Sequence, residues 1–428
     1  MRRSSGTNPP SCTCLPDILP MRARSAAIDN ALADRLHTVL PAAMRDGNID
    51  MWIVLCQEDN LDPVFTTMIP MDTWCPILQI LVFHDRGEAG VEGINLSGTN
   101  TGDLYTRPYT GQLPECQWPL LKQLVEERDP ARIGINIGQT QWAAGGLTQN
   151  LYSQLLATLP ERHRERLVSA EPTSTKWLAC LTETEIGLFE HVVDVAHRII
   201  SHCYSSQAIE PNVTTVDDLR WLYWQVCADH GLEAAFRPFF GMRRSPAMVA
   251  RHGKGDQIIR PGDFLHCDVG IKYLRLHSDH QQWAYVRQPG EREAPAGVRR
   301  LMAEANRLQD AFMGEFRAGL SGNELLAAIF DRARSAGIPQ PKVYSHSLGL
   351  FLHEPGPLIG LPWEQEDTGE RGEVRLENGN AFTMELSVTA PLPDWEGADL
   401  RLAIEEDVIF AGDRCRVLGN RQTEFYLI

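Results

Sequence analysis

Apolar residues recur along this chain with two periods, and the way the periods alternate separates two halves. In the first half, three short apolar runs bounded by turn residues read as buried strands: Asp50–Cys56, Ile77–His84 and Arg132–Gly138. Helical spacing appears over Ser25–Arg45, around Trp118–Glu127 and over Leu147–Leu159. Strands and helices interleaved over roughly 150 residues predict an α/β unit. The GINIG run at Gly134–Gly138 lacks the following glycine and the helix start that a phosphate loop needs. No His/Asp/Glu cluster stands in this half, so its expected role is to shape a site or an oligomer rather than to carry chemistry.

Glu171–Lys176, EPTSTK, reads as the linker to the second half. Thr182 and Glu185 then form a capping box, and Ile186, Phe189, Val193, Ala196 and Ile200 mark one apolar face of a helix. A second helix starts near Thr214–Thr215, passes Leu219, Leu222 and Val226, and stops at Gly231. Strand signals dominate from there to Val286. The order then repeats: a helix carrying Leu301, Ala305, Leu308, Phe312 and Phe316, a second one from Ser321 and Glu324 to Gly337, and strands and turns after that. Helix-helix-strands, twice, predicts two pseudo-equivalent α+β halves.

A chain of 428 residues is too long for one ordinary core. The expected division is a disordered tail at 1–23, an α/β domain at 24–176 and a larger domain at 177–428. A net charge of −16 argues against a nucleic-acid partner and against a polybasic membrane anchor. The ten cysteines are scattered, with no CxxC pair, which favours a reducing compartment over a disulfide framework. Cys12 and Cys14 could hold a soft metal, but they lack partner ligands nearby. The N-terminus has basic residues without an apolar run, and no stretch of eighteen apolar residues occurs. A cytoplasmic protein with no membrane contact is the simplest expectation.

Candidate chemistry gathers in the second half. The stretch GDFLHCDVGIKYLRLHSDHQQWAYV, Gly262–Val286, reads as two facing strands, each carrying one aspartate in apolar surroundings, Asp268 and Asp279. Burying an unpaired charge is costly, and two such carboxylates repel unless something positive lies between them. Salt bridges to arginines such as Arg275 would serve; so would a pair of divalent metal ions. Further on, YSHSLGLFLHEPGP holds His346 and His353, AFTMELSV holds Glu385, and LRLAIEEDVIF holds Glu405, Glu406 and Asp407. Strand alternation turns Glu405 and Glu406 to opposite faces, so only one of them can join an inner cluster. Four carboxylates and one imidazole suit Mn²⁺, Co²⁺, Fe²⁺ or Zn²⁺. A water held between two such ions becomes a nucleophile near neutral pH.

These residues, in this order and with the two aspartates eleven positions apart, resemble the pita-bread metallopeptidase family of methionine aminopeptidases, proline-specific aminopeptidases and prolidases. The resemblance spans Thr182 to the C-terminus and implies a pita-bread domain, duplicated α+β halves around a curved antiparallel sheet. The first half resembles the smaller creatinase-type α/β domain that precedes it in prolidases and proline aminopeptidases. By the resemblance the metal ligands are Asp268, Asp279, His346, Glu385 and Glu405. Asp268 would chelate one ion, Asp279 and Glu405 would bridge, and His346 and Glu385 would complete the second. Glu385 would also pass the proton of the bridging water. His353, in the HEP motif, would orient the substrate carbonyl or donate to the leaving nitrogen, and His252, in ARHG, would lie near the substrate amide. The implied cofactors are two divalent ions, Mn²⁺ first, with Co²⁺, Zn²⁺ or Fe²⁺ as alternatives. The implied partners are a peptide or small amide substrate and a second copy of the chain in a homodimer.

The expected function is hydrolysis of Xaa-Pro bonds by a metal-bridged hydroxide, as an aminopeptidase or a dipeptidase. Some features depart from the family pattern: Ser345 and Ser347 flank the ligand histidine, His252 stands sixteen residues before Asp268, and His266, His277 and His280 crowd the hairpin. They leave two alternatives, a metal-dependent hydrolase of a non-peptide amide or ester, and a non-catalytic binding protein on the same fold. The three extra histidines are expected at the surface or behind the ligands.

Overall fold

A computed structural model describes residues 18–108 and 116–428. The chain divides into two compact units, Leu19–Ile186 together with His353–Gly356, and Gly187–Leu352 together with Pro357–Ile428. Cys12 and Cys14 and most of the expected tail lie outside the described residues.

In the first unit the helix expected at Ser25 begins earlier, at Met21, and runs to Asp46. A five-stranded sheet follows the order Val91–Asn95, Leu78–Asp85, Met51–Gln57, Ile133–Ile135, Leu167–Ser169. The first three strands are antiparallel neighbours and the last two join in parallel. Its core packs Ile53, Leu55, Ile80 and Val82 against Leu121, Val125, Leu151 and Leu155 from two helices. The two edge strands escape the sequence pattern: VEGIN carries Glu and Gly, and LVS is three residues long. The stretch read as a linker is instead a helix, Glu171–Ala179. Its proline falls in the first turn, where a missing N–H costs nothing. The Glu171 carboxylate accepts the backbone N–H groups of Gln139, Thr140 and Gln141, which fixes the start of the helix.

The second unit follows the duplicated order. Helix α1, Glu183–Cys203, starts from the expected capping box: Thr182 N–H donates to Glu185 at 2.9 Å and Glu185 N–H to the Thr182 hydroxyl at 3.1 Å. Its residues Phe189, Val193, Ala196 and Ile200 are buried. Helix α2, Val216–Asp229, is capped by Thr215 and Asp218. Strands β1, Phe239–Arg243, β2, Phe264–Val269, and β3, His280–Tyr285, pair antiparallel, and Tyr426–Leu427 lies along the far side of β3. A short helix, Pro246–His252, interrupts the region read as all strand; Ser245 caps it and Pro246 opens it. Helices α3, Ala296–Gly314, and α4, Gly322–Ser335, open the second half, α4 with the expected Ser321/Glu324 box. Strands β4, Lys342–Tyr344, β6, Glu385–Pro391, and β7, Asp399–Ile404, form one sheet. Strands β5, Asn380–Thr383, β8, Asp407–Ala411, and β9, Arg414–Val417, form another.

One apolar core runs beneath both halves, from Phe264, Trp283 and Tyr285 through Leu301, Leu308 and Phe312 to Phe382, Leu402 and Phe410. Two isolated backbone bridges, Gln281 with Glu405 and Ser347 with Phe382, stitch the strand systems together. The first of these sets the candidate site.

Candidate metal centre

Strand register brings the acidic residues together. Asp268 lies opposite Gln281 across β2 and β3. Gln281 exchanges both backbone hydrogen bonds with Glu405, at 3.1 Å each. Alternation along β3 then places Asp279 and Gln281 on one face and His280 and Gln282 on the other. On the inner face, ligand atoms of Asp279, His346 and Glu405 all lie within 4.8 Å of one another, and all three residues are buried. The His346 Nε2 is 3.9 Å from an Asp279 oxygen. Its Nδ1 is 3.2 Å from the Ser347 carbonyl, which can only accept, so Nδ1 carries the proton and Nε2 offers its lone pair inward.

Gln281 ties in the remaining acids. Its amide nitrogen donates to Glu385 and to Glu405, each at 2.8 Å. Its amide oxygen is 3.0 Å from His266 Nε2, so that nitrogen is the donor; burial pushes His266 down to about 3, which keeps it neutral. The electrostatics agree with the geometry. Burial lifts Asp268 to about 6. Burial, then the charge of Asp268, lifts Glu385 to about 7 against the Gln281 hydrogen bond. Burial pushes Asp279 and Glu405 well above the carboxylate range, helped at Asp279 by the charges of Asp268, Asp407 and Glu385 and at Glu405 by those of Asp279, Glu385 and Asp268. Asp279 Oδ1 and Glu405 Oε1 are buried with no hydrogen-bond partner. Four crowded carboxylates, two bare buried oxygens and an inward imidazole lone pair form a donor set that fits divalent cations.

The M24 metallopeptidase profile matches residues 188–410, more than half of the chain. The chain belongs to metallopeptidase family M24. Solved structures of the same fold include X-Pro aminopeptidase from Thermotoga maritima, 16% identical, TM-score 0.63, covering 90% of this chain and 100% of that one. They also include Xaa-Pro dipeptidase from Bacillus anthracis, 16% identical, TM-score 0.60, covering 94% and 100%. A third is the N-terminal domain of FACT complex subunit SPT16 from Cicer arietinum, 11% identical, TM-score 0.57, covering 92% and 98%. No curated protein matches significantly in sequence. The pita-bread fold with an N-terminal domain, implied by the resemblance, is the fold of this M24 chain.

Other sequence candidates are placed as follows. Glu406 faces away from the inner cluster, toward His197 and His280. His353 is exposed, on the irregular stretch between β4 and β5, and it groups with the first unit. His252 ends its short helix, and among the described residues no hydrogen bond or ion pair joins it to the acids of this M24 centre. The extra histidines are not surface residues: His266, His277 and His280 are all buried. Sequence reasoning missed Gln281, because a neutral amide is not a ligand type. The period of two that put Asp279 on the inner face also marked Gln281, two positions on.

Proposed function

We propose that this M24 chain is a two-metal exopeptidase that cleaves Xaa-Pro bonds, as an aminopeptidase or a dipeptidase. The convergence of Asp279, His346 and Glu405, with Glu385 held to Glu405 through Gln281, carries this reading. The Xaa-Pro preference draws on the names of the similar structures and on the domain that precedes the catalytic one. In this reading Asp268 would hold one ion, His346 and Glu385 would hold the other, and Asp279 and Glu405 would serve both. Bound ions, Mn²⁺ first and Co²⁺, Zn²⁺ or Fe²⁺ otherwise, supply an acidified water and polarise the scissile carbonyl.

The chain's own groups do the rest. Glu385 accepts a proton and returns it to the leaving nitrogen; its native range near 7 suits that exchange at neutral pH. Gln281 and its His266 partner keep the Glu385 and Glu405 carboxylates turned inward. His353 orients the substrate carbonyl and His252 attends the substrate amide. A cytoplasmic homodimer completes the proposal.

The test measures hydrolysis of Xaa-Pro, Xaa-Pro-Yaa and Met-Xaa peptides by chelated and Mn²⁺-reloaded protein, beside Asp279→Asn. Chelation abolishes Xaa-Pro cleavage and Mn²⁺ restores it. Asp279→Asn loses at least about a hundredfold, the upper end for loss of a residue merely supporting a ligand. Metal-loaded protein that cleaves neither proline substrate overturns the reading.

One observation favours a second reading, a non-catalytic binding protein. The Gln281 amide already bonds both Glu385 and Glu405, partly compensating the charge that a second cation would neutralise. Fewer than one ion per chain after reconstitution would select it. Full metal content with activity only on non-peptide amides or esters would select the remaining alternative, which the buried histidines of the hairpin suggest.

A further inference from the structure

Behind the inner cluster, on the opposite face of the same strands, stands a second group of ligand types. His197 comes from α1, His280 opens β3, and Glu406 lies at the junction of β7 and β8. Their ligand atoms all lie within 4.8 Å of one another. We infer that His197, His280 and Glu406 form a second, separate site for a borderline transition-metal ion such as Zn²⁺, back to back with the catalytic centre.

The tautomers carry the argument. Both imidazoles face one carboxylate oxygen, Glu406 Oε2, His197 Nε2 at 2.8 Å and His280 Nδ1 at 3.2 Å. The other nitrogen of His280, Nε2, is buried without a hydrogen-bond partner, 3.5 Å from Asp407 Oδ2. A neutral His280 ring, the form a metal takes up, carries one proton on one nitrogen or the other. With that proton on Nδ1, Nε2 is a bare lone pair beside a carboxylate. With it on Nε2, that N–H points at Asp407, and Nδ1 sets its lone pair against Glu406 Oε2. A cation between Nδ1 and Oε2 removes the conflict of the second tautomer and leaves Nε2–H aimed at Asp407. That is the way a metal-bound imidazole is usually steadied, by a carboxylate on its other nitrogen.

Glu406 is oriented for the same task. Its Oε1 accepts the Gln282 side-chain amide and the Gln422 backbone N–H, each at 2.9 Å, which turns Oε2 to the imidazoles. The competing account is a buried ion pair between His197 and Glu406, 2.8 Å apart. It satisfies His197 and leaves the His280 conflict in place. Two imidazoles and one carboxylate suit Zn²⁺, Co²⁺ or Fe²⁺ better than Ca²⁺ or Mg²⁺. The side chain of His197 is 15% exposed, while those of His280 and Glu406 are closed off, so the ion enters past His197. Its occupancy would pin α1 to the start of β3 and the end of β7, beside Asp279 and Glu405.

The experiment starts from full-length Asp279→Asn, which removes a shared ligand of the inner centre, and reads the second site through His197. Zn²⁺ is titrated and counted per chain by mass spectrometry after gel filtration, with Co²⁺ absorbance as a second reading. Asp279→Asn retains one Zn²⁺ per chain, and adding His197→Gln raises its dissociation constant at least tenfold. Independently of how that variant folds, the imidazole ¹⁵N signals of His197 and His280 in Asp279→Asn move on Zn²⁺ addition. No retained Zn²⁺, an unchanged dissociation constant in a folded double variant, or unmoved imidazole signals each overturn the inference. None of these outcomes bears on peptide hydrolysis by the unmodified chain, so the two proposals fail separately.

Discussion

A carboxylate surrounded by apolar strand and three other carboxylates holds its proton longer than one in water. Asp268 near 6 and Glu385 near 7 both lie above their unfolded values. For a carboxylate raised in the native state, the folded chain binds more protons than the unfolded one between the two values. Stability of the metal-free chain therefore falls as pH rises from about 4 to about 7. Cation binding must displace those protons, so affinity moves the other way. Lowering the pH from 8 to 6 should raise the apparent Mn²⁺ dissociation constant at least about tenfold, the linkage of one proton per site. Calorimetric titration in buffers of different ionisation heat checks both the weakening and the proton release; a flat profile would show that burial leaves these acids ionised. At this scale the sequence was informative where a residue type is rare in its setting. Acids inside apolar strands announced Asp268, Asp279 and Glu385, whereas separating Glu405 from Glu406 needed the family resemblance. Gln281 and His266 stayed hidden because an amide and a neutral histidine gain their meaning only from the strand opposite.

The element that holds the two aspartates in register is the reversal between β2 and β3, and it depends on Gly270. A Cβ placed there would meet the Ser278 backbone carbonyl at 1.9 Å. Backbone cannot swing aside as a flexible side chain can, so Gly270→Ala must spread the reversal and move Asp279 relative to Asp268. The expected cost is about 1–3 kcal/mol, as for overpacking, with a loss of Mn²⁺ affinity beside it. Gly187, in the early turns of α1, makes the matched control, because a Cβ there meets nothing within 4 Å. Gly187→Ala should stabilise by about 0.5–1 kcal/mol and leave metal binding unchanged. Chemical denaturation paired with metal titration separates the two; an innocuous Gly270→Ala would show that the reversal does not set the site. The elements themselves were legible where caps and periodicity agreed, as at Thr182/Glu185 and Ser321/Glu324. The Pro246–His252 helix and the Glu171–Ala179 helix were not. Each is short and opens on proline, and composition alone reads that pattern as loop or linker.

For the whole molecule, periodicity gave two α-and-β halves in the second unit, but no pattern of apolar residues specifies how strands from distant segments converge. The long-range bridge between Gln281 and Glu405 joins residues 124 positions apart, and only the order of ligand types pointed to it. That convergence makes metal a fold-level term. All five proposed ligands lie between Asp268 and Glu405, in the second unit, Gly187–Leu352 with Pro357–Ile428. An ion bound to the native unit and not to the unfolded chain stabilises it by mass action, about 2.7 kcal/mol at a free concentration one hundred times the dissociation constant. A unit of this size gains about 2–4 °C in melting temperature per kcal/mol, so saturating Mn²⁺ should raise its transition by about 5–10 °C. The first unit holds none of these ligands, and its own transition should stay where it was. Scanning calorimetry of chelated and Mn²⁺-loaded protein therefore resolves one transition that moves and one that does not. If neither moves, the acids are held together by Gln281 and captured protons instead of by cations.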